Sequence, residues 1–155
     1  MAFGDDHAAL LNRLDEEIQG APALSPSLFA KVAACACTRA SVLRKSGKAT
    51  RIDRLLDASA WADLALTLIE LELPAWKLRR LTCENGEWLC SLSRRPNLPA
   101  AIDDGVDAVH EVLPLALLRA FVEVQRRTAV TCEAAPSVPQ MRPMEAHMIC
   151  CDNFA

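Results

Sequence analysis

The chain is expected to be an α+β protein, mostly helical, with one antiparallel β-hairpin packed against helices. Three observations carry this. The stretch from Trp76 to Arg94 alternates like two paired strands around Asn85-Gly86. The apolar residues elsewhere are mostly Ala and Leu at helical spacing, which favours helix. And 155 residues with 52% apolar and 24% charged content suit one globular domain, able to bury roughly 68–70% of its unfolded surface.

Asn85-Gly86 is the strongest local signal. A type I′ turn needs positive φ at both central residues, which Asn tolerates and Gly adopts freely. With a two-residue loop, Glu84 faces Glu87, Cys83 faces Trp88 and Leu81 faces Cys90. One face then carries Leu81, Cys83, Trp88, Cys90 and Leu92. The other carries Arg80, Thr82, Ser91 and Ser93, with Leu78 and Leu89 as exceptions. A three-residue loop would slip the first strand by one and bring Thr82 and Arg80 to the face of Trp88. The two-residue register segregates better and is the one expected. Two strands alone are marginal in water, so a third strand is expected, from Leu98 to Ile102 or from a second copy of the chain.

The helices follow from apolar spacing and end signals. Asp5-Asp6 to Gly20 predicts an amphipathic helix with Leu10, Leu11, Leu14 and Ile18 on its stripe and an Asp as cap. Ser25-Pro26 starts a second, running to about Lys45 and stopped by Gly47. Thr50 opens a third, with Ile52, Leu55, Leu56, Trp61, Leu64, Ala65, Leu68 and Leu71 inward, and Pro74 stops it. Asp103-Asp104 precedes a last helix to about Arg127. Either it kinks at Pro114, or it begins near Glu111 with Pro114 in its first turn. The domain is thus residues 1–127. Residues 128–155, with Pro136, Pro139 and Pro143 and no periodicity, are expected to form a mostly disordered tail.

Composition narrows function more than it names one. Net charge is −3, which argues neither for nucleic acid nor for an acidic-tail solvating role. No run of apolar residues is long enough to span a membrane, and the N-terminus lacks a basic, apolar leader pattern. Seven cysteines without such a leader point to free thiols in a reducing, cytoplasmic compartment.

Motifs of catalysis are missing. There is no G-x-S-x-G, G-x-G-x-x-G or P-loop pattern, and five glycines leave little to build a phosphate cradle. His110-Glu111 starts a zincin-like pattern, but Pro114 stands where the second His must be, so His110 is read as a helix-start histidine making a local hydrogen bond. Cys35-Ala36-Cys37 lies mid-helix, where residues two apart do not share a face. Cys83 and Cys90 are diagonal neighbours at roughly 7–8 Å, beyond easy disulfide reach. Cys150-Cys151, with His147 and Met148, resembles a soft-metal cluster within the tail. Acid pairs at Asp5-Asp6, Glu16-Glu17 and Asp103-Asp104 suit helix starts or wet faces. No catalytic residue, metal ligand or cofactor is therefore expected.

Basic residues do cluster. Arg44, Lys45, Lys48, Arg51 and Arg54 surround one inter-helix loop. Lys77, Arg79, Arg80, Arg94 and Arg95 mark the open end of the hairpin. If the two groups meet, they form a positive patch on an acidic protein, fit for an acidic protein face, a phosphate or nucleic acid. The function expected is that of a non-enzymatic accessory or interaction protein, a homodimer by virtue of its open strand edges. The alternatives are a nucleic-acid-associated regulator using the basic clusters and a thiol or metal protein.

The blocks Pro-Ala-Trp-Lys-Leu-Arg-Arg-Leu, Asn-Gly-Glu-Trp, Ser-Leu-Ser-Arg-Arg-Pro-Asn-Leu-Pro and His-Glu-Val-Leu-Pro-Leu-Ala-Leu-Leu-Arg-Ala-Phe resemble a group of short uncharacterised proteins of alphaproteobacteria. The layout of helix, hairpin and Leu-Pro-Leu-Ala helix is also similar to small phage α/β sandwich domains. The likeness covers about residues 50–127 and implies fold and origin; it carries over no catalytic residue.

Overall fold

The computed structural model describes residues 3–48 and 50–133. Among them lie α1 (Phe3–Gly20), α2 (Pro26–Ala36), α3 (Thr38–Lys45), α4 (Thr50–Asp57), α5 (Trp61–Glu72), β1 (Lys77–Glu84), β2 (Glu87–Ser93), a 3₁₀ turn (Ala100–Ile102), β3 (Val106–His110) and α6 (Leu113–Glu133). The expected α+β class holds, with a three-stranded antiparallel sheet in the order β1-β2-β3. No helix among the described residues is long and apolar enough to cross a membrane.

The hairpin adopts the two-residue register. Asn85 and Gly86 have φ of 54° and 86°, and Glu84 pairs with Glu87, Cys83 with Trp88 and Leu81 with Cys90. Strict alternation fails at one place. A bulge between Leu78 and Arg80 adds a residue to β1 and sets Leu78 opposite the core residue Leu92, correcting its assignment to the polar face. The third strand is Val106–His110, antiparallel to β2. Leu98 to Ile102 instead forms a turn and the 3₁₀ segment. Asp103-Asp104 therefore precedes a strand, not a helix.

The core is centred on α6 rather than on the hairpin. Leu115, Leu117, Leu118, Phe121 and Val122 are fully buried, because α6 packs on α1, on α5 and on β2 and β3. Pro114 sits in its first turn, the second of the two expected placements, and the helix continues past Arg127 through Glu133. The remaining tail, residues 134–155, with Cys150 and Cys151, lies outside the described residues.

In α1 the buried stripe is Leu11, Leu14 and Ile18, with Leu10 46% exposed beside it, and the helix starts at Phe3, so Asp6 lies inside it. Two longer helices are broken where the sequence predicts continuity. The second predicted helix breaks at Cys37 (φ −118°, ψ 74°) into α2 and α3. The orphaned groups there are taken up from afar. The Glu72 carboxylate accepts from the backbone N–H of Arg39 (3.2 Å) and Ala40 (2.7 Å). The Gln125 amide donates to the Ala36 carbonyl at 3.2 Å. The third predicted helix breaks after Asp57. There the Ala60 and Ser59 N–H groups reach back to the carbonyls of Leu55 (2.9 Å) and Leu56 (3.0 Å), a Schellman closure with Ser59 at φ 53°.

Candidate interaction surface

Helix α6 covers one face of the sheet, while on the other Ser91 and Ser93 are also buried, and the two edges are treated differently. Cys90, Leu92, Val106 and Ala108 are buried toward α6. On the free edge of β3 two α6 arginines occupy main-chain carbonyls. Arg119 donates to the Val109 carbonyl at 2.8 Å and Arg127 to the Gly105 carbonyl at 3.1 Å. An added strand would have to displace both. Along β1 no such cover exists among the described residues, and Leu81 is half-buried and Cys83 exposed.

The start of β1 is held differently. Arg79, the bulged residue, donates to Asp103 Oδ2 at 2.6 Å and to the Leu98 carbonyl at 3.0 Å. The Asp103 side chain is 2% exposed, so this ion pair clamps the β2–β3 connection to β1. Gly105 lies under the clamp: a Cβ there would stand 3.3 Å from both Asp103 Oδ2 and the Leu92 carbonyl.

Beside the open end of the hairpin runs a groove of about 980 Å³. Ala8 and Asn12 of α1, Thr128 and Val130 of α6, Trp76, and Arg94 line it. Arg94 lies over the Trp76 ring, 5.1 Å from its centroid, a cation–π contact. Asp104, Glu123, Arg126 and Arg127 complete the wall. Glu123 pairs with Arg126 (2.9 Å) and Arg127 (3.1 Å), and Asp15 pairs with Arg119 (3.1 Å) and Arg126 (3.8 Å). The groove thus joins an apolar floor to guanidinium groups on an acidic chain.

The two predicted basic groups are distributed over different parts of the fold. Arg44, Lys45, Lys48, Arg51 and Arg54 lie on and around α3 and α4, which pack against α5. Lys77, Arg79, Arg80, Arg94 and Arg95 lie on or next to the hairpin, whose β2 packs against β3 and α6. No hydrogen bond or ion pair links the two groups among the described residues. Arg44 pairs with Asp53 (3.4 Å) and Arg80 with Glu84 (3.5 Å). Lys45, Lys48, Arg51, Arg54, Lys77 and Arg95 are exposed. Arg94 alone of the ten lines the groove. Arg126 and Arg127, absent from the predicted patch, share it, and their signal was an arginine pair ending an apolar helix.

The cysteines and His110 are structural in their surroundings. Cys35, Cys37, Cys83 and Cys90 are free thiols. Burial, then the Glu72 carboxylate, then Cys35, push the Cys37 thiol up from 9.0 to about 12. Burial, then Asp107, push Cys90 up to about 12 as well. Neither supplies thiolate near neutral pH. Cys37 sits at a helix junction rather than mid-helix. His110 ends a strand rather than starting a helix, yet makes the expected local bond: its Nδ1 accepts from the Val112 N–H at 2.9 Å. That leaves Nε2 to donate to the Ile18 carbonyl at 3.1 Å. Among the described residues, no group of three or more His, Cys, Asp and Glu side chains could hold a metal ion.

Fold and surface together define a small α+β protein with a three-stranded sheet packed on α6, one edge closed by arginines, and an arginine–tryptophan groove. In comparisons with known proteins, no family model, no curated protein and no solved structure matches the chain.

Proposed function

We propose that the chain is a non-enzymatic accessory protein, a homodimer in a reducing, cytoplasmic compartment, that holds a segment of a protein partner. The observation that carries this reading is the groove, where Trp76 and Val130 offer apolar surface beside Arg94, Arg126 and Arg127. Such a lining suits a segment presenting an apolar side chain next to carboxylates. The free thiols among the described residues, the exposed Cys83 included, support the reducing compartment.

The test is an NMR titration of the full chain, whose three Trp give three indole signals. The probe is a synthetic helical peptide with Leu and Glu on one face, and its counterpart with Gln for Glu. The Glu peptide is expected to move the Trp76 indole signal and the Gln peptide to leave it. Arg94→Ala should weaken binding about tenfold, the loss of one charge-assisted contact. Absence of any shift overturns the reading. So does a duplex oligonucleotide that instead moves Lys45, Lys48, Arg51 and Arg54 with a steep salt dependence, which establishes the nucleic-acid alternative.

A further inference from the structure

The hairpin turn determines which main-chain groups of β1 are unpaired. In an antiparallel ladder, residue pairs alternate between those that exchange both hydrogen bonds and those that exchange none. A two-residue I′ turn makes its flanking pair, Glu84 and Glu87, a bonded one. Thr82–Leu89 and Arg80–Ser91 are then bonded too. Leu81 and Cys83 therefore turn their N–H and C=O groups away from β2, to the open edge. The same parity, carried across β2, turns Val109 of β3 and Gly105, the residue just before β3, outward. Those are the carbonyls that Arg119 and Arg127 occupy, which agrees with the assignment.

The open edge is regular only from Arg80 to Glu84, because the bulge ends it on one side and the turn on the other. We propose that these five residues pair with the same five of a second copy, antiparallel about a two-fold axis at Thr82, joining two sheets into one of six strands. This rests on the homodimer proposed above and assigns it a surface and a register.

Three observations select that arrangement. The first is parity: outward-facing Leu81 must meet an outward-facing residue, which allows two-fold axes at Leu81, Thr82 or Cys83 but none lying between two residues, and of these three only the axis at Thr82 keeps all five residues paired. The second is charge. Only the axis at Thr82 sets Arg80 opposite the partner's Glu84, and Glu84 opposite the partner's Arg80, so two cross-strand ion pairs flank the centre. Within one chain these two side chains already meet at 3.5 Å across Thr82, so both project from that face. The third is cover. The core-facing side chains of β1 extend beyond α6, with Leu81 half-buried, Cys83 exposed and Leu78 39% exposed. Pairing lays Leu81 beside the partner's Cys83 on that same face. It also brings Thr82 beside the partner's Thr82. The Thr82 hydroxyl is the one buried side-chain oxygen or nitrogen without a hydrogen-bond partner among the described residues, and a Thr–Thr pair supplies one.

Thr82→Cys in a Cys83→Ala chain tests this. A non-bonded antiparallel pair has Cα atoms about 4.5 Å apart, within the disulfide range of about 4.4–6.8 Å. Mild oxidation should give a covalent dimer whose tryptic map shows the introduced thiols of the two copies joined to each other. Val109→Cys, on the closed β3 edge, should give none. In sedimentation equilibrium Arg80→Glu should weaken the dimer about tenfold or more, since it makes two like-charge pairs. Adding Glu84→Arg should restore it to within about threefold. A chain monomeric at all concentrations overturns both this inference and the homodimer. A dimer that forms no link between the introduced thiols and ignores Arg80→Glu overturns the β1 surface alone, and leaves a homodimer built elsewhere.

Discussion

Replacing Arg79 with Ala should cost about 3 kcal/mol of folding stability, and the figure follows from the burial of its partner. The Asp103 side chain is 2% exposed and receives the Arg79 guanidinium at 2.6 Å. Removing one member of a buried ion pair typically costs about 3–5 kcal/mol, because the other charge is left without a partner. Arg79 itself is 24% exposed, so truncation opens a path for water to Asp103 and places the expected loss at the lower end. The Leu98 carbonyl also loses a donor at 3.0 Å, which water can replace. Against a total of about 5–15 kcal/mol for a typical domain, this is a large share. The assay is urea unfolding of wild type, Arg79→Ala, Asp103→Asn and the double variant, with a coupling of about 1.5 kcal/mol or more expected from the cycle. A loss under about 1 kcal/mol for Arg79→Ala, or near-zero coupling, would refute the clamp. The β2–β3 connection would then be held by its own packing.

Other expectations follow from the helix junctions and the thiols. Glu72→Ala removes the carboxylate that receives the Arg39 and Ala40 N–H groups; a loss of about 1–2 kcal/mol in thermal or urea unfolding is expected. Glu72→Gln, which keeps an acceptor, should recover part of it. Ser59→Gly relieves a left-handed φ of 53° and should stabilise by about 1 kcal/mol, visible as a raised urea midpoint at unchanged slope. The Cys37 and Cys90 thiols ionise near 9.0 when unfolded and at about 12 when folded. Above pH 9 the unfolded chain therefore holds fewer protons than the native one. Stability should be intact below about pH 9 and fall as pH rises toward 12, by about 1.4 kcal/mol per thiol per pH unit. A Cys37→Ala, Cys90→Ala chain should show a shallower decline between about pH 9 and 10; an equal slope would sink the assignment.

What could be read from the sequence is what local chemistry decides. Asn85-Gly86 determines its own turn, and the turn determines the register of Leu81 against Cys90. The bulge at Arg79 was not legible, because its cause is Asp103, 24 residues away in the chain. The break at Cys37 was hidden for the same reason: its caps come from Glu72 and Gln125, which only the packing of α5 and α6 brings there. Ser59 concealed the next break by adopting a conformation usually marked by Gly. The third strand did leave a signal, Val106-Asp107-Ala108-Val109-His110, where the apolar Val106 and Ala108 flank Asp107; reading Asp103-Asp104 as a helix start, and Val109 out of step with the alternation, obscured it. Of the groove, the sequence indicated Arg94 through its place at the hairpin's open end. It did not indicate Arg126 and Arg127, since only the packing of α6 beside α1 and the hairpin places them together.

The two sheet edges differ because one helix closes only one of them. Arg119 and Arg127 are eight residues apart on α6, about 12 Å at the helical rise. The carbonyls they occupy, that of Val109 on β3 and that of Gly105 just before it, are four residues apart, about 13 Å at the strand rise. Because α6 follows β3 directly and runs back along it, the two spacings match, and both outward carbonyls near the ends of that edge receive a guanidinium. Among the described residues no helix runs beside β1, so it has no such closure there, and its defence is the bulge at one end. An open strand edge is a hazard unless it is blunted or paired. Closing β3 with α6 leaves β1 as the edge at which a further strand can add, and the opposed charges of Arg80 and Glu84 favour one register there over its neighbours. In the proposed dimer, the arginines that finish the core helix thus also narrow how two copies of the chain can meet.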